Sequence, residues 1–130
     1  MNKIALSLGA FFAGLGIALG AFGAHALKQI LSSEQLAVFE TGVRYQMYHA
    51  FALLLVGIAY GFSPAPYFRR AAACFTVGIV LFSGSLYALT FLKMNGQVGL
   101  GGLGLITPIG GVFFILGWLT FLLGVWKHVK

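Results

Sequence analysis

The sequence predicts an all-α integral membrane protein, a four-helix bundle in a single domain covering residues 1–130. Only ten residues are charged, eight basic and two acidic, and hydrophobic residues make up 60% of the chain. Four stretches carry no Asp, Glu, Lys or Arg: 4–27, 45–68, 71–92 and 94–126. A bilayer core requires about 20 consecutive apolar residues per helix, and each stretch meets that length. Soluble domains carry about 25% charged residues, so this composition excludes a water-covered surface.

The first span is expected at about residues 4–24, with His25 at its end. Lys3, an apolar run and then Ala24-His25-Ala26 imitate a secretory signal with its cleavage site. The apolar region of a signal is only about 7–15 residues long, and this run is longer. We therefore expect an uncleaved first helix.

The other spans are expected at about 45–62, 70–92 and 107–126. Pro64 and Pro66 end the second span, because two prolines cannot continue a helix. A glycine-rich loop, 96–104, follows the third. Thr107 and Pro108 then supply an N-cap and a first-position proline, so we expect the fourth span to begin there.

The loop between the first two spans has a helical pattern of its own. Ser32 and Gln35 have the spacing of a capping box, and Glu40 and Arg44 form a favourable i,i+4 pair. The apolar residues of this segment recur at helical spacing: Leu36, Phe39, Val43 and Met47. Two interpretations remain open. The segment is a short amphipathic helix in the first outer loop, bending at Gly42 into the second span, or it is an N-terminal extension of that span.

The basic residues predict orientation and partners. With four spans, both termini lie on one side, together with Lys3, Arg69, Arg70, Lys127 and Lys130. The other side carries Lys28, Arg44 and Lys93. Five against three favours cytoplasmic termini in an inner or plasma membrane. Because these residues sit singly or in pairs at span ends, we expect contact with lipid head groups and not with nucleic acid.

Glycines and one alanine form a stripe on two of the expected helices. They are Gly9, Ala13, Gly16, Gly20 and Gly23 in the first span and Gly110, Gly117 and Gly124 in the fourth. Seven residues are about two helical turns, so each set lies along one face. Small residues permit the close approach on which helix packing in lipid depends. The alternatives are that a stripe lines a substrate path or contacts a second copy in a homo-oligomer.

Chemistry-bearing motifs are absent from the sequence. It holds no nucleophile–base–acid set, no HExxH, no phosphate loop and no paired carboxylates, so we expect neither an enzyme nor a cofactor or metal. One cysteine, Cys74, excludes an intrachain disulfide.

Polar residues gather at the expected outer interface: His25, Glu40, Arg44, Tyr45, Tyr48 and His49. If the first two spans pack as a hairpin, His25 and His49 come to similar depth. Three interpretations compete: a hydrogen-bonded network that holds the loop, a proton- or ion-handling site, and a bis-histidine haem or metal site. In the third span, Ser83, Ser85 and Tyr87 are expected to hold helices together through their hydroxyls.

Four motifs occur in a familiar order. They are Gly20-Ala21-Phe22-Gly23-Ala24-His25-Ala26-Leu27, Thr41-Gly42-Val43-Arg44-Tyr45-Gln46-Met47-Tyr48-His49-Ala50, Phe82-Ser83-Gly84-Ser85-Leu86-Tyr87, and Thr107-Pro108-Ile109-Gly110-Gly111 with Gly117-Trp118. Over nearly the whole chain they resemble the small membrane-protein family known as domain of unknown function 423, which includes transmembrane protein 256. The resemblance implies four membrane helices and no established reaction, ligand or catalytic residue. The matching motif positions include His25, Glu40, Arg44, Tyr45, His49, Ser83, Tyr87, Thr107 and Pro108.

Two functions follow as hypotheses. The first is a structural or accessory protein in membrane maintenance, acting through self-association or a membrane-protein partner. The alternative is a small oligomeric transporter or channel that uses the outer polar cluster. Transport paths often place a charge deep within a span, and none is present here, which favours the first.

Overall fold

The computed structural model describes residues 1–96, 99 and 101–130. These residues form five α-helices: α1 (Lys3–His25), α2 (Ser33–Phe62), α3 (Pro66–Gly78), α4 (Gly84–Met94) and α5 (Gly101–His128). A π-helical turn, Ile79–Ser83, joins α3 and α4 into one long helix. The described chain therefore has four long helices and no strand, and each is long and apolar enough to cross a membrane. The all-α, four-span prediction is confirmed.

The helix α2 begins at the predicted capping box and runs unbroken to the predicted end. The Ser32 hydroxyl accepts from the Gln35 backbone N–H, and the Gln35 side chain accepts from the Ser32 N–H, both at 3.1 Å. Gly42 lies inside the helix and is buried. The amphipathic segment is therefore the first part of α2, as the second interpretation expects. It is not a separate helix in the loop. Only a 3₁₀ turn, Leu27–Gln29, lies in the loop.

The third span starts earlier than predicted and is not uniformly α-helical. Pro66 occupies the first turn of α3, where its missing N–H removes no intrahelical bond. Within the π turn the Ser83 hydroxyl is buried and donates to the carbonyl of Gly42, 2.7 Å away on α2. The π turn thus lies where the third span is bonded to α2.

The prediction that Thr107 and Pro108 begin the fourth long helix is wrong. α5 begins at Gly101, so Pro108 lies inside it and Thr107 is not its N-cap. An interior proline leaves the carbonyl four residues back without its helical partner. That residue is Gly104, which has open space next to it, since a Cβ added there would have no neighbouring atom within 4 Å. Of the expected glycine-rich loop, 101–104 belong to α5, and 97, 98 and 100 lie outside the described residues.

The bundle places both termini at the same end. The Asn2 backbone N–H donates to the carbonyl of Gly57, 3.1 Å away near the end of α2. The Ser63 hydroxyl donates to the carbonyl of His128 at 2.9 Å. We call this the terminal end of the bundle and the other the loop end. α1 packs almost wholly on α2, and α5 packs mainly on the third span.

Candidate functional site

Gln46 is the most buried side-chain amide among the described residues, with only 2% of its surface exposed. Its Nε2 donates to the carbonyl of Phe12 on α1 at 2.9 Å, and its Oε1 accepts from the Tyr87 hydroxyl on α4 at 2.7 Å. One side chain of α2 therefore bonds the first and third spans together. In hydrocarbon an unpaired amide costs several kcal/mol, so the two partners hold each other in place.

His49 lies one turn further along α2 and joins it to α5. The ring is buried, and it stacks on Phe114 with centroids 3.5 Å apart and planes 6° apart. The indole N–H of Trp118 donates to Nε2 at 3.1 Å, and Nδ1 lies 2.7 Å from the carbonyl of Tyr45. Because an indole N–H can only donate, Nε2 accepts and Nδ1 carries the hydrogen. Both ring nitrogens are thus engaged within the chain, and neither offers a lone pair to haem or a metal.

A lateral groove of about 570 Å³ opens beside His49. Its walls are mostly aromatic: Tyr45, Tyr48, His49, Phe82, Gly111, Phe114, Ile115 and Trp118. The groove lies between α2, the π turn and α5, on the outside of the bundle. It therefore faces the surroundings of the bundle and not a passage through it.

Hydroxyl groups of the third span complete the polar contacts between helices. Ser85 shares a hydrogen bond with the Thr107 hydroxyl on α5, and Ser83 bonds α2 as described. Thr90 instead donates to the carbonyl of Leu86 on its own helix. Every buried side-chain nitrogen and oxygen of the described residues has a hydrogen-bond partner.

The six polar residues singled out in the sequence are dispersed in the structure. Tyr45, Tyr48 and His49 come together around the groove, where the two tyrosine rings meet at 5.7 Å. Glu40 and Arg44 lie on an exposed surface of α2 and do not line the groove. Whether any of them carries function stays a prediction.

His25 and His49 do not lie at similar depth. Gly23, two residues before His25, packs against the Phe39 ring, which places His25 near the loop end. Ten residues of helix separate Phe39 from His49, about 15 Å along the axis. The expectation fails because α2 begins at Ser33 and not at Tyr45, which moves His49 well inside the hairpin.

The small-residue stripes lie against neighbouring helices, with contacts of different kinds. On α1, Gly9, Gly16, Gly20 and Gly23 lie next to α2, while on α5, Gly110, Gly117 and Gly124 lie next to the third span. A Cβ at Gly16 would lie 2.5 Å from the Met47 sulfur, and one at Gly110 would collide with the backbone nitrogen of Phe82. Ala13 is half-buried. That these contacts stabilise the helix pairs stays a prediction.

Sequence reasoning missed Gln46 and Trp118 as site residues. A signal for the first was present, because an amide inside a charge-free, membrane-length segment must find partners. Trp118 carried a weaker signal of the same kind, since it lies near the middle of the expected fourth span and not at the lipid interface where tryptophan is enriched.

The fold and the site define a multi-pass integral membrane protein whose buried polar side chains, in the described residues, are hydrogen-bonded within the chain, most of them between helices. The chain belongs to the family described as Protein of unknown function (DUF423), whose model matches residues 19–111. It is 42% identical over 125 residues to a UPF0382 membrane protein of Staphylococcus saprophyticus, covering 96% of this chain and 98% of the relative.

Two further relatives come from other genera. UPF0382 membrane protein YwdK of Bacillus subtilis is 41% identical over 98% of this chain and 99% of its own. A UPF0382 membrane protein of Haemophilus influenzae is 40% identical over 94% of this chain and 90% of its own. No solved structure matches. The resemblance to this family is confirmed, and the relatives' names place the chain among membrane proteins without stating an activity.

Proposed function

We propose that this protein is a structural or accessory component of the membrane, without catalytic activity, that acts through its outer surfaces on a second copy or on a membrane-protein partner. One observation carries the proposal. All ten charged residues are exposed, and the buried polar side chains of the described residues are Gln46, His49, Ser83, Ser85 and Thr90, each hydrogen-bonded within the chain.

A closed interior argues against transport by a single copy. An ion or polar solute crossing the bundle would need charged groups or unpaired polar atoms along its path. The buried polar atoms described here are hydrogen-bonded within or between the helices, and two large grooves lie between helices on the outside. The sides of the bundle therefore offer another molecule a mostly apolar surface.

The experiment is a pair of measurements on purified protein in liposomes. We expect proton, sodium and potassium fluxes equal to those of protein-free liposomes, and a defined oligomer or partner complex in native mass spectrometry from gentle detergent. A flux well above the protein-free control would contradict the proposal.

The alternative is an oligomeric transporter or channel using the polar residues beside the lateral groove. The exposed tyrosines at its rim, together with His49, favour it, since two such grooves facing each other would place the tyrosine hydroxyl groups along one path between copies. Under this alternative His49→Ala should abolish a measured flux while the oligomer persists. An unchanged flux in both His25→Ala and His49→Ala would remove these residues from the mechanism.

We also propose that the terminal end faces the cytoplasm. Its five basic residues exceed the three elsewhere, and the two acidic residues, Glu34 and Glu40, both belong to the loop-end half of α2. A fluorescent protein fused to the C-terminus should fluoresce, and alkaline phosphatase fused there should be inactive. Active phosphatase would show that the terminal end lies outside the cytoplasm and would contradict this proposal.

A further inference from the structure

A second lateral groove, which we call the α1–α3 groove, opens at the terminal end. It has a volume of about 410 Å³ and is lined by residues of α1 and its N-cap, from Asn2 to Leu8, and by residues of α3, from Arg69 to Val77. It exists because α1 packs on α2 and barely touches α3. The small side chains of Ala5, Ala72 and Ala73 leave the space between the two helices unfilled.

The walls of this groove are apolar below its mouth. The Thr76 hydroxyl donates to the carbonyl of Ala72 at 2.8 Å, and the Asn2 side chain accepts from the Ala5 N–H at 3.1 Å. These polar side chains therefore form hydrogen bonds with the backbone of their own helices. Eight residues of helix separate Arg69 from Val77, so the groove descends about 12 Å from its charged mouth.

The mouth is cationic in a part of the molecule that carries no acidic side chain. Arg69 lies at the start of α3, is exposed and lines the groove. The chain's two acidic residues lie near the beginning of α2, at the loop end. The positive charge at the terminal end is thus not neutralised by the side chains around it.

From this geometry we propose that the α1–α3 groove binds one anionic phospholipid, with an acyl chain between α1 and α3 and the phosphate on Arg69. An apolar slot below a guanidinium matches the two parts of such a lipid, and basic pockets between membrane helices bind anionic head groups. This site is separate from the Gln46 and His49 contacts and does not depend on the proposed function.

The experiment is native mass spectrometry of the protein released from nanodiscs containing equal amounts of phosphatidylglycerol and phosphatidylcholine. We expect one retained phosphatidylglycerol per chain. A cation at the membrane surface contributes about 1 kcal/mol, so Arg69→Gln should lower the preference for phosphatidylglycerol about fivefold. Arg70→Gln is the matched control: Arg70 is the next residue and is also exposed, but it does not line the groove.

A second pair of variants tests the apolar slot. Ala73 is exposed and lines the groove, so Ala73→Leu should fill it and reduce retention of either lipid. Ala10 is exposed on α1 and lies outside the groove lining, so Ala10→Leu adds the same bulk elsewhere and should leave retention unchanged. Circular dichroism and a monodisperse elution profile establish that each variant is folded.

Several results would overturn the proposal. Equal losses in Arg69→Gln and Arg70→Gln would mean diffuse surface attraction, and a wild type without lipid preference would mean no site. Retention unchanged in folded Ala73→Leu, together with conversion of a dimer to a monomer, would assign the groove to a second copy. If Ala73→Leu fails to fold, the comparison of the two arginine variants still decides.

Discussion

The glycine stripes of α1 and α5 look alike in sequence but differ in what they contact. On α1 an added Cβ would meet the flexible Met47 thioether at Gly16 and, at an ordinary distance, a Val43 methyl group at Gly20, although at Gly9 it would also lie 2.9 Å from the backbone oxygen of Ala50. On α5 it would meet groups close to the neighbouring backbone at two positions, Phe82 itself at Gly110 and the Tyr67 Cβ, 2.9 Å away, at Gly124, while at Gly117 it would meet the Phe75 ring. Sequence spacing shows that helices approach closely, but the tolerance of each contact depends on how rigid the opposing atom is.

The largest expected difference separates two adjacent glycines of α5. Gly110→Ala should lower the free energy of unfolding by about 3 kcal/mol, because the methyl group collides with the main chain of Phe82 and the helices must separate. Gly111→Ala is the control, since its Cβ would lie 3.9 Å from the Phe82 ring, an ordinary contact. Unfolding in micelles titrated with sodium dodecyl sulfate measures both. If Gly110→Ala had an effect as small as that of Gly111→Ala, the main chain at Phe82 would be able to move away from the added methyl group.

The second-largest effect is expected at the hydrogen bond between Gln46 and Tyr87, which joins the α1–α2 pair to the third span. Gln46→Leu should cost about 1.5 kcal/mol, because it leaves the Tyr87 hydroxyl without its partner in the core. Tyr87→Phe removes the other partner. The double variant should be more stable than the sum of the single effects predicts, since neither partner is then left unpaired. Additive losses would show that Gln46 acts only through Phe12 or through its packing.

A smaller effect is expected on α1. Gly16→Ala should change the free energy of unfolding by less than about 1 kcal/mol, because Met47 has rotatable bonds with which to move away. Gly14 faces open space, so Gly14→Ala serves as the control for helix propensity alone. If Gly16→Ala were as damaging as Gly110→Ala, the contrast between the two seams would be lost.

The smallest expected effect lies at the α2–α5 contact. Trp118→Phe should cost about 0.6 kcal/mol, the average for a hydrogen bond between membrane helices, because His49 loses its indole donor. Trp126, the other tryptophan, is 82% exposed, so Trp126→Phe should have no effect on stability. That variant also leaves Trp118 as the sole indole fluorophore. A cost well above 2 kcal/mol would make His49–Trp118 a main support of the bundle.

Much of the fold was predictable because its signals are local. Apolar length predicted four spans, the capping box at Ser32 predicted the start of α2, and the prolines after Phe62 predicted its end. The start of α5 was not predictable in this way. Thr107 and Pro108 have the pattern of a helix start, yet Thr107 bonds Ser85 instead and the helix extends back to Gly101.

The candidate site was predicted less completely than the fold. His49 and its two tyrosine neighbours were identified as polar residues worth attention, but their separation from His25 depends on the register of the α1–α2 hairpin. Gln46 belongs to the second family motif, 41–50, but nothing in that motif distinguishes it as a site residue. Its importance depends on Phe12 and Tyr87, which lie 34 and 41 residues away along the chain.

The sequence by itself determined that this protein lies in a lipid bilayer, how many spans it has and to which family it belongs. The spacing of charges and the length of each apolar stretch decide for every helix separately whether it can cross the bilayer. The tertiary structure alone decided the helix neighbours and the polar bonds between them. It also placed the grooves at the sides of the bundle. The physical reason is that lipid tails are as apolar as the helices, so hydrophobicity does not select partners. Partners are selected by close fit and by hydrogen bonds between residues distant in sequence, and these exist only once the helices have packed.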